Sequence, residues 1–311
     1  MRVLILGAGA LGSLVGARLS RTSAAVNLLT TNEAHARAIR RDGLRIRELD
    51  GSVSTYPLES YHRPEDVPGT ADLALVLVKT PDTRKALEGA ASLFGPDTVS
   101  LTLQNGIGNW EVLADTRGAN NVLAGTTAQG ATLVEPGLVR HGGDGPTYIG
   151  EPGKPPGSRV DNVVRLFNEA GLEAHPEDDV ETRLWIKLMI NTGINAVTAI
   201  TGAPNGFVAD NPHAREICRE AVREAAGVAR AEGIVLPEDI ENRVLDVARA
   251  TAANRSSMLQ DVTRGRPTEI GAINEAIVER GGGLGIDTPV NRCLVRLIKA
   301  IETTSHKGDK S

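Results

Sequence analysis

The sequence predicts an α/β protein in two parts, a doubly wound parallel sheet followed by an all-helical domain. Short apolar runs alternate with helix-like stretches through the first half, the pattern of strands joined by crossover helices. A turn with glycines at positions 7, 9 and 12 lies directly behind the first run. Near Asp178 the composition changes, and helical patterns then continue almost to the end. The expected division is therefore 1–178 for the sheet domain, 179–303 for the helical domain and 304–311 for a polar, frayed tail.

Val3–Leu6 is continuously apolar, as a strand buried on both faces should be. Ala10–Ser20 reads as a helix and Val26–Leu29 as the second strand. His35–Asp42 is helical, with Gly43 placed to end it. Leu73–Val78 is the purest strand pattern. Thr83–Leu93 (helix), Val99–Leu103 (strand) and Ile107–Ala114 (helix) follow. Val122–Ile149 is rich in Gly and Thr and supplies the last strands. The turn-rich loop Gly150–Gly157 precedes a helix over Val160–Ala170 and one short strand. The later helices are Val180–Thr201, Pro212–Glu232, Pro237–Ala253, Met258–Thr263, Pro267–Arg280 and Pro289–Thr303. Each of the four prolines stands at or near a helix start, where a missing N–H costs little.

Composition limits the function. The chain has 311 residues, of which 41% are apolar, enough for about two domains with full cores. With 34 Lys and Arg against 39 Asp and Glu, the net charge of −5 disfavours nucleic acid as the main partner. Cys218 and Cys293 are too few for a disulfide framework or a cysteine metal cluster and suit a reducing cytoplasm. No run approaches a membrane span. Met1-Arg2 and the apolar stretch to Ala17 imitate a secretory signal. The spaced glycines interrupt that stretch, and no clear cleavage site follows Arg18.

Gly7-Ala8-Gly9-Ala10-Leu11-Gly12 has the G-x-G-x-x-G spacing in its proper context, after a buried strand and opening a helix. Gly7 allows the turn, Gly9 lets a pyrophosphate approach and Gly12 lets helix and strand pack, while the helix N-terminus offers free N–H groups. The motif predicts a Rossmann-type domain and a dinucleotide cofactor. At the end of the second strand stand Thr30, Thr31 and Asn32, with no acid before Glu33. An acid there would bind a ribose 2′-hydroxyl and repel a 2′-phosphate, so NADP is expected and NAD remains open. Lys79, at the end of the strongest strand, falls on the same sheet edge and is read as a cofactor ligand.

The helix beginning Leu184-Trp-Ile-Lys187 is apolar on most sides. At 100° per residue, Lys187, Asn191, Asn195 and Thr198 fall at about 0°, 40°, 80° and 20°, a single polar stripe. A lysine and two amides on one face of a buried helix point to a polar cleft, because an unpartnered buried lysine is costly. Ser257 and Gln260 have capping-box spacing. Glu269 reads equally as a first-turn acid, and Asn205 as a turn residue.

Several stretches together resemble the ketopantoate reductase (2-dehydropantoate 2-reductase) family over nearly the whole chain. They are Gly7–Gly12, Val78-Lys79-Thr80, Gln104-Asn105-Gly106, Trp185–Asn195, Pro204-Asn205-Gly206, Ser256–Asp261 and Arg266–Ile270. The resemblance implies a Rossmann domain, a helical domain of the 6-phosphogluconate-dehydrogenase-like kind and an active site in the cleft between them. Position by position it implies that Lys187 is the catalytic lysine and Glu269 the glutamate near the reacting centre and cofactor. It implies that Asn191, Asn195, Asn205 and Ser257 hold the pantoate hydroxyls and carboxylate, and that Asn105 stands beside the nicotinamide. The implied reaction is NADPH-dependent reduction of 2-dehydropantoate to (R)-pantoate, with a small 2-keto acid as partner and a homodimer through the helical domain as a further one. Two departures stand out. Thr31 occupies about the place of the family's arginine at the NADP phosphate, and Pro81 and Asp82 follow Thr80 where the family often has an aromatic and a Gln. Other readings are a dehydrogenase for another 2-keto, hydroxy or opine-type acid, and a non-catalytic NADPH sensor. A sensor would be expected to lack the lysine or the glutamate, and both are present.

Overall fold

A computed structural model describes residues 1–305. It divides into two compact units, Met1–Gln104 with Asn109–Val180, and Asn105–Gly108 with the chain from Glu181 onward.

The strands of the first unit are β1 (Arg2–Leu6), β2 (Ala25–Leu29), β3 (Leu44–Arg47), β4 (Val53–Tyr56), β5 (Glu59–Tyr61), β6 (Ala71–Val76), β7 (Phe94–Thr102), β8 (Val122–Thr127), β9 (Gly130–Glu135), β10 (Leu138–Gly143), β11 (Thr147–Gly150) and β12 (Ala174–Pro176). Eight of them form one sheet in the order β12-β11-β8-β7-β6-β1-β2-β5. From β5 to β8 all neighbours are parallel, and β11 runs antiparallel to β8. Counting only the parallel run, the order is that of a Rossmann sheet, 3-2-1-4-5-6.

Alternation along β1 shows why the sheet needs helices on both faces. Val3 and Ile5 join one core with Leu14 and Val15 of helix α1 (Ala10–Leu19), Ile39 of α2 (Glu33–Asp42) and Phe167 of a helix over Ser158–Glu169. Leu4 and Leu6 join a second core with Leu87 of α3 (Thr83–Gly89) and Leu113 of α4 (Asn109–Arg117). The Ser158–Glu169 helix is α5. Gly43 ends α2 as expected, at φ +77°, its N–H bonded to the Ile39 carbonyl at 2.8 Å.

The sequence pattern did not reveal the second sheet, β4-β3-β10-β9. Of the strands expected from Val122–Ile149, β8 and β11 extend the large sheet, whereas β10 pairs with β9 on one side and with β3 on the other. Leu44-Arg-Ile-Arg47 buries only its two apolar residues, and a four-residue alternation is too short to stand out.

His35 pins these layers together. Its Nδ1 accepts from the Gly137 N–H at 2.9 Å, which leaves Nε2 to donate to the Ser13 hydroxyl at 3.0 Å. Burial pushes its pKa down to about 4. The unfolded chain therefore binds the proton first, and stability falls as pH drops from about 6.5 towards 4. The expected cost is about 2 kcal/mol at pH 5, absent in His35→Gln, and urea melts at pH 7 and pH 5 would measure it.

The second unit is helical: α6 (Val180–Thr201), α7 (Gly206–Asp210), α8 (Pro212–Ala231), α9 (Ile240–Ala250), α10 (Ser257–Thr263), a π-turn at Gly271–Glu275, α11 (Ala276–Gly283) and α12 (Pro289–Ser305). Pro212 and Pro289 are the first residues of their helices, while Pro237 and Pro267 stand a few residues ahead of theirs. The short α7 was not foreseen. The core of this unit joins Trp185, Met189 and Val197 of α6 to Cys218 and Val222 of α8 and Val244 of α9. Helix α12 includes residues 304 and 305, which were expected in the tail; residues 306–311 lie outside the described residues. Among the described residues no helix is long and apolar enough to cross a membrane.

Candidate active site

In the first unit, β1 delivers the chain into a turn whose glycines have separate causes. Gly7 has φ +102°, and a Cβ there would lie 2.4 Å from the Val78 nitrogen. A Cβ on Gly12 would lie 2.4 Å from the Gly7 carbonyl oxygen and 3.0 Å from Ile5 Cγ2, so helix and strand could not close. A Cβ on Gly9 would meet nothing within 4 Å, and the space above it is open. The Gly7 and Ala8 N–H groups both donate to the Leu29 carbonyl, at 3.0 and 2.9 Å, tying the turn to the end of β2. The Ser13 N–H closes the first helical turn on the Gly9 carbonyl. The N–H groups of Ala10, Leu11 and Gly12 are left without an intrahelical partner, at the positive end of α1.

Beside this turn runs a groove of about 460 Å³ lined by Gly7, Gly9, Thr30, Thr31, His62, Lys79 and Lys85 among others. The Thr30 N–H donates to the Tyr61 carbonyl, and its buried hydroxyl accepts from the Asn32 N–H. The Asn32 side chain is engaged, capping α2 by accepting from the His35 N–H at 3.0 Å. Thr31 is exposed. Ala8 is fully buried, so only its backbone faces the turn. His62 follows β5, a strand the sequence pattern did not reveal. The Gln104 amide donates to the Val78 carbonyl at 2.7 Å and to the Thr83 hydroxyl at 2.9 Å, fixing the segment that carries Lys79.

In the helical unit, Lys187 and Asn191 are partly exposed and Asn195 is 7% exposed, all on one face of α6. Burial pushes the Lys187 ammonium down to about 8, against the Glu269 charge, which raises it. Glu269 accepts from the Asn105 amide at 2.9 Å. The Asn105 loop lies tightly on the π-turn: Gly106 has φ +87°, and a Cβ there would lie 2.2 Å from the Ala272 carbonyl oxygen. The π-turn starts only at Gly271, so Glu269 precedes it rather than sitting in a helical first turn.

Two expectations need correction. Thr198, on the polar stripe, is fully buried and bonds back to the Ile194 and Asn195 carbonyls and to the Ser256 hydroxyl at 2.7 Å. It is a packing residue. The α10 cap is Ser256, whose hydroxyl accepts from the Leu259 N–H, while Gln260 donates to the Arg255 carbonyl. Ser257 is thereby exposed and released from capping. The Thr198–Ser256 bond seats the start of α10 against the far end of the stripe. Asn205 opens α7, and its amide nitrogen donates to the Thr251 hydroxyl at 3.0 Å. Its Oδ1 is buried with no protein partner, an acceptor waiting for a donor.

Chemically, the first unit offers N–H groups and lysines suited to a pyrophosphate. The helical unit offers a lysine ammonium, a glutamate and unpaired amides suited to a small polar acid. Residues 3–154 match the family model described as ketopantoate reductase PanE/ApbA, and residues 179–302 match its C-terminal counterpart. The chain is 40% identical to the 2-dehydropantoate 2-reductase of Halobacterium salinarum, over 96% of this chain and 98% of that one. It is 38% identical to that of Archaeoglobus fulgidus, over 97% and 98%. Among solved structures it is similar to a PanE/ApbA family ketopantoate reductase from Ralstonia eutropha (TM-score 0.89, 33% identity, 98% of this chain and 100% of that one). It is also similar to D-mandelate dehydrogenase in a ternary structure with NADH and anilino(oxo)acetate (TM-score 0.90, 27% identity, 98% and 100%).

Proposed function

Because the chain belongs to the ketopantoate reductase family, we propose that it reduces 2-dehydropantoate to (R)-pantoate with NADPH, in pantothenate synthesis in the cytoplasm. The observation that carries the chemistry is the polar face of α6, an otherwise apolar helix whose lysine is held near pKa 8 beside Glu269. The free thiols Cys218 and Cys293 support a reducing compartment.

The dinucleotide fits the first unit: open space over Gly9, unpaired N–H groups at Ala10, Leu11 and Gly12, Thr31 at the strand end and Lys79 on the groove. When bound it supplies a hydride to the 2-keto carbon. The chain's own residues do the rest. Lys187, as ammonium, hydrogen-bonds the keto oxygen, stabilises the charge that develops there and donates the proton. Glu269 keeps Lys187 charged despite its burial, and Asn105 holds Glu269 in place. Asn191, Asn195, Asn205 and Ser257 hydrogen-bond the hydroxyls and carboxylate without adding charge. On a protein of net charge −5, Lys187 supplies the local attraction for the acid.

Asn195 tests the substrate part. Asn195→Ala is expected to lower kcat/KM for ketopantoate about three- to thirtyfold, the loss of one hydrogen bond in a mostly desolvated site. NADPH affinity should stay unchanged. A fall in melting temperature with normal turnover by the folded fraction would make Asn195 structural instead.

A second reading, NADH-linked reduction of another 2-keto acid, is favoured by Thr31 at the strand end and by the similarity to D-mandelate dehydrogenase. Oxidation of NADPH and of NADH by the purified protein, over a panel of 2-keto acids including ketopantoate, separates the two. The proposal requires ketopantoate and NADPH to give the highest kcat/KM.

A further inference from the structure

The groove beside the glycine turn contains an imidazole with no established task. β5 pairs in parallel with β2, setting Tyr61 opposite Leu29, and the Thr30 N–H donates to the Tyr61 carbonyl. The next residues on the two strands, His62 and Thr30-Thr31, therefore stand side by side and line the groove together. The His62 Nδ1 is buried and has no hydrogen-bond partner. Such an atom costs free energy until it is paired, so its vacancy needs an explanation. The charged neighbours in the groove are Lys79, Lys85 and Asp82, one acid against two lysines. The nearby Glu33 is engaged by Arg37 at 2.6 Å. No arginine or lysine stands among Thr30, Thr31 and Asn32 at the end of β2. The lysines of the groove thus come from the segment after β6 and from α3, not from the end of β2.

We propose that His62 is a specificity residue for the cofactor, its imidazole donating to the 2′-phosphate of NADPH next to Thr31. This rests on the NADPH reading given above. An imidazole N–H is a good donor to a phosphate oxygen, and the phosphate charge strengthens that bond. With a plain ribose 2′-hydroxyl, the same ring gains only a neutral contact. The discrimination therefore arises from the difference between a charge-assisted and a neutral bond.

The test is direct binding, by nucleotide fluorescence titration of the intact protein without any keto acid, for wild type, His62→Ala and His62→Gln. His62→Ala is expected to weaken NADPH about 10- to 100-fold and NADH less than threefold, with His62→Gln recovering part of the loss as a neutral donor. Adenosine 2′,5′-bisphosphate should follow NADPH, and AMP should follow NADH. Equal weakening of both dinucleotides would make His62 a support for the groove and overturn the proposal. Selective loss of NADH would also overturn it, because the ring would then be accepting from the 2′-hydroxyl. Failure of the functional reading is separable: a protein that shows the His62 effect in binding but does not turn over ketopantoate refutes the substrate and leaves this inference standing.

Discussion

Lys187→Ala is expected to lower kcat for keto-acid reduction by about 10²–10⁴-fold, the range for removing a general acid, while the protein stays folded. The loss should fall on kcat more than on KM, since proton donation belongs to the transition state. Folding should survive because the ammonium is held against its burial and contributes nothing to the apolar core around Trp185, Met189 and Val197. The pH profile gives a second reading of the same residue. With its pKa pushed down to about 8, Lys187 is mostly ammonium at pH 7 and loses its proton as pH rises through 8. Reduction should therefore decline above about pH 8, and oxidation of the hydroxy acid, which needs the free amine as base, should rise over the same interval. Glu269→Gln removes the charge that raises the lysine, and should move both limbs to lower pH. A well-folded Lys187→Ala enzyme with less than a tenfold fall in kcat, or a profile flat from pH 7 to 9, would remove Lys187 from the chemistry.

The parts legible in the sequence were those with a local physical signature. The Gly7–Gly12 turn declared itself because strand, glycine spacing and helix are contiguous, and the strict requirements at Gly7 and Gly12 appear in space as backbone collisions. The α6 helix was bounded at Val180 and Thr201 by its long apolar periodicity, and the structure returns the same limits. What stayed hidden depended on pairing between distant segments. β3 and β10 are separated by some 90 residues of chain and read as strands only once they meet. His62 was invisible for the same reason, since its strand β5 is three residues long and gains its place only against β2. Choosing between adjacent hydroxyls also lay beyond the pattern. Ser256 and Ser257 look alike in sequence, but the Ser256 hydroxyl accepts from the Leu259 N–H and caps α10, leaving the Ser257 side chain exposed in the first turn. Thr198 satisfied the helical angle of a site residue, yet packing against Ser256 took it inward. Asn105 and Glu269, more than 160 residues apart, acquired meaning from the family resemblance, and their bond at 2.9 Å supplies the physical link that periodicity lacked.

Gly9→Ala separates cofactor binding from folding at the glycine turn. Its φ of −80° is outside the left-handed region, and the added methyl would touch no protein atom within 4 Å. The melting temperature should fall by no more than a few degrees. The methyl does occupy the space above the N–H groups of Ala10, Leu11 and Gly12, where a pyrophosphate must come close to bond them. Displacing that group by about 1 Å weakens several hydrogen bonds together and misplaces the hydride donor. The expected result is a rise on the order of 10²-fold in KM for NADPH with a lower kcat. Gly7→Ala is the opposite control. There a methyl collides with the Val78 backbone at 2.4 Å and must also hold φ at +102°, so stability itself should drop and cofactor binding should fail along with it. Thermal melts and NADPH titrations on the two variants distinguish a turn that merely folds from one shaped around a dinucleotide. If Gly9→Ala binds NADPH as tightly as wild type, the open space over Gly9 is not where the pyrophosphate lies, and the cofactor must be placed elsewhere on the sheet.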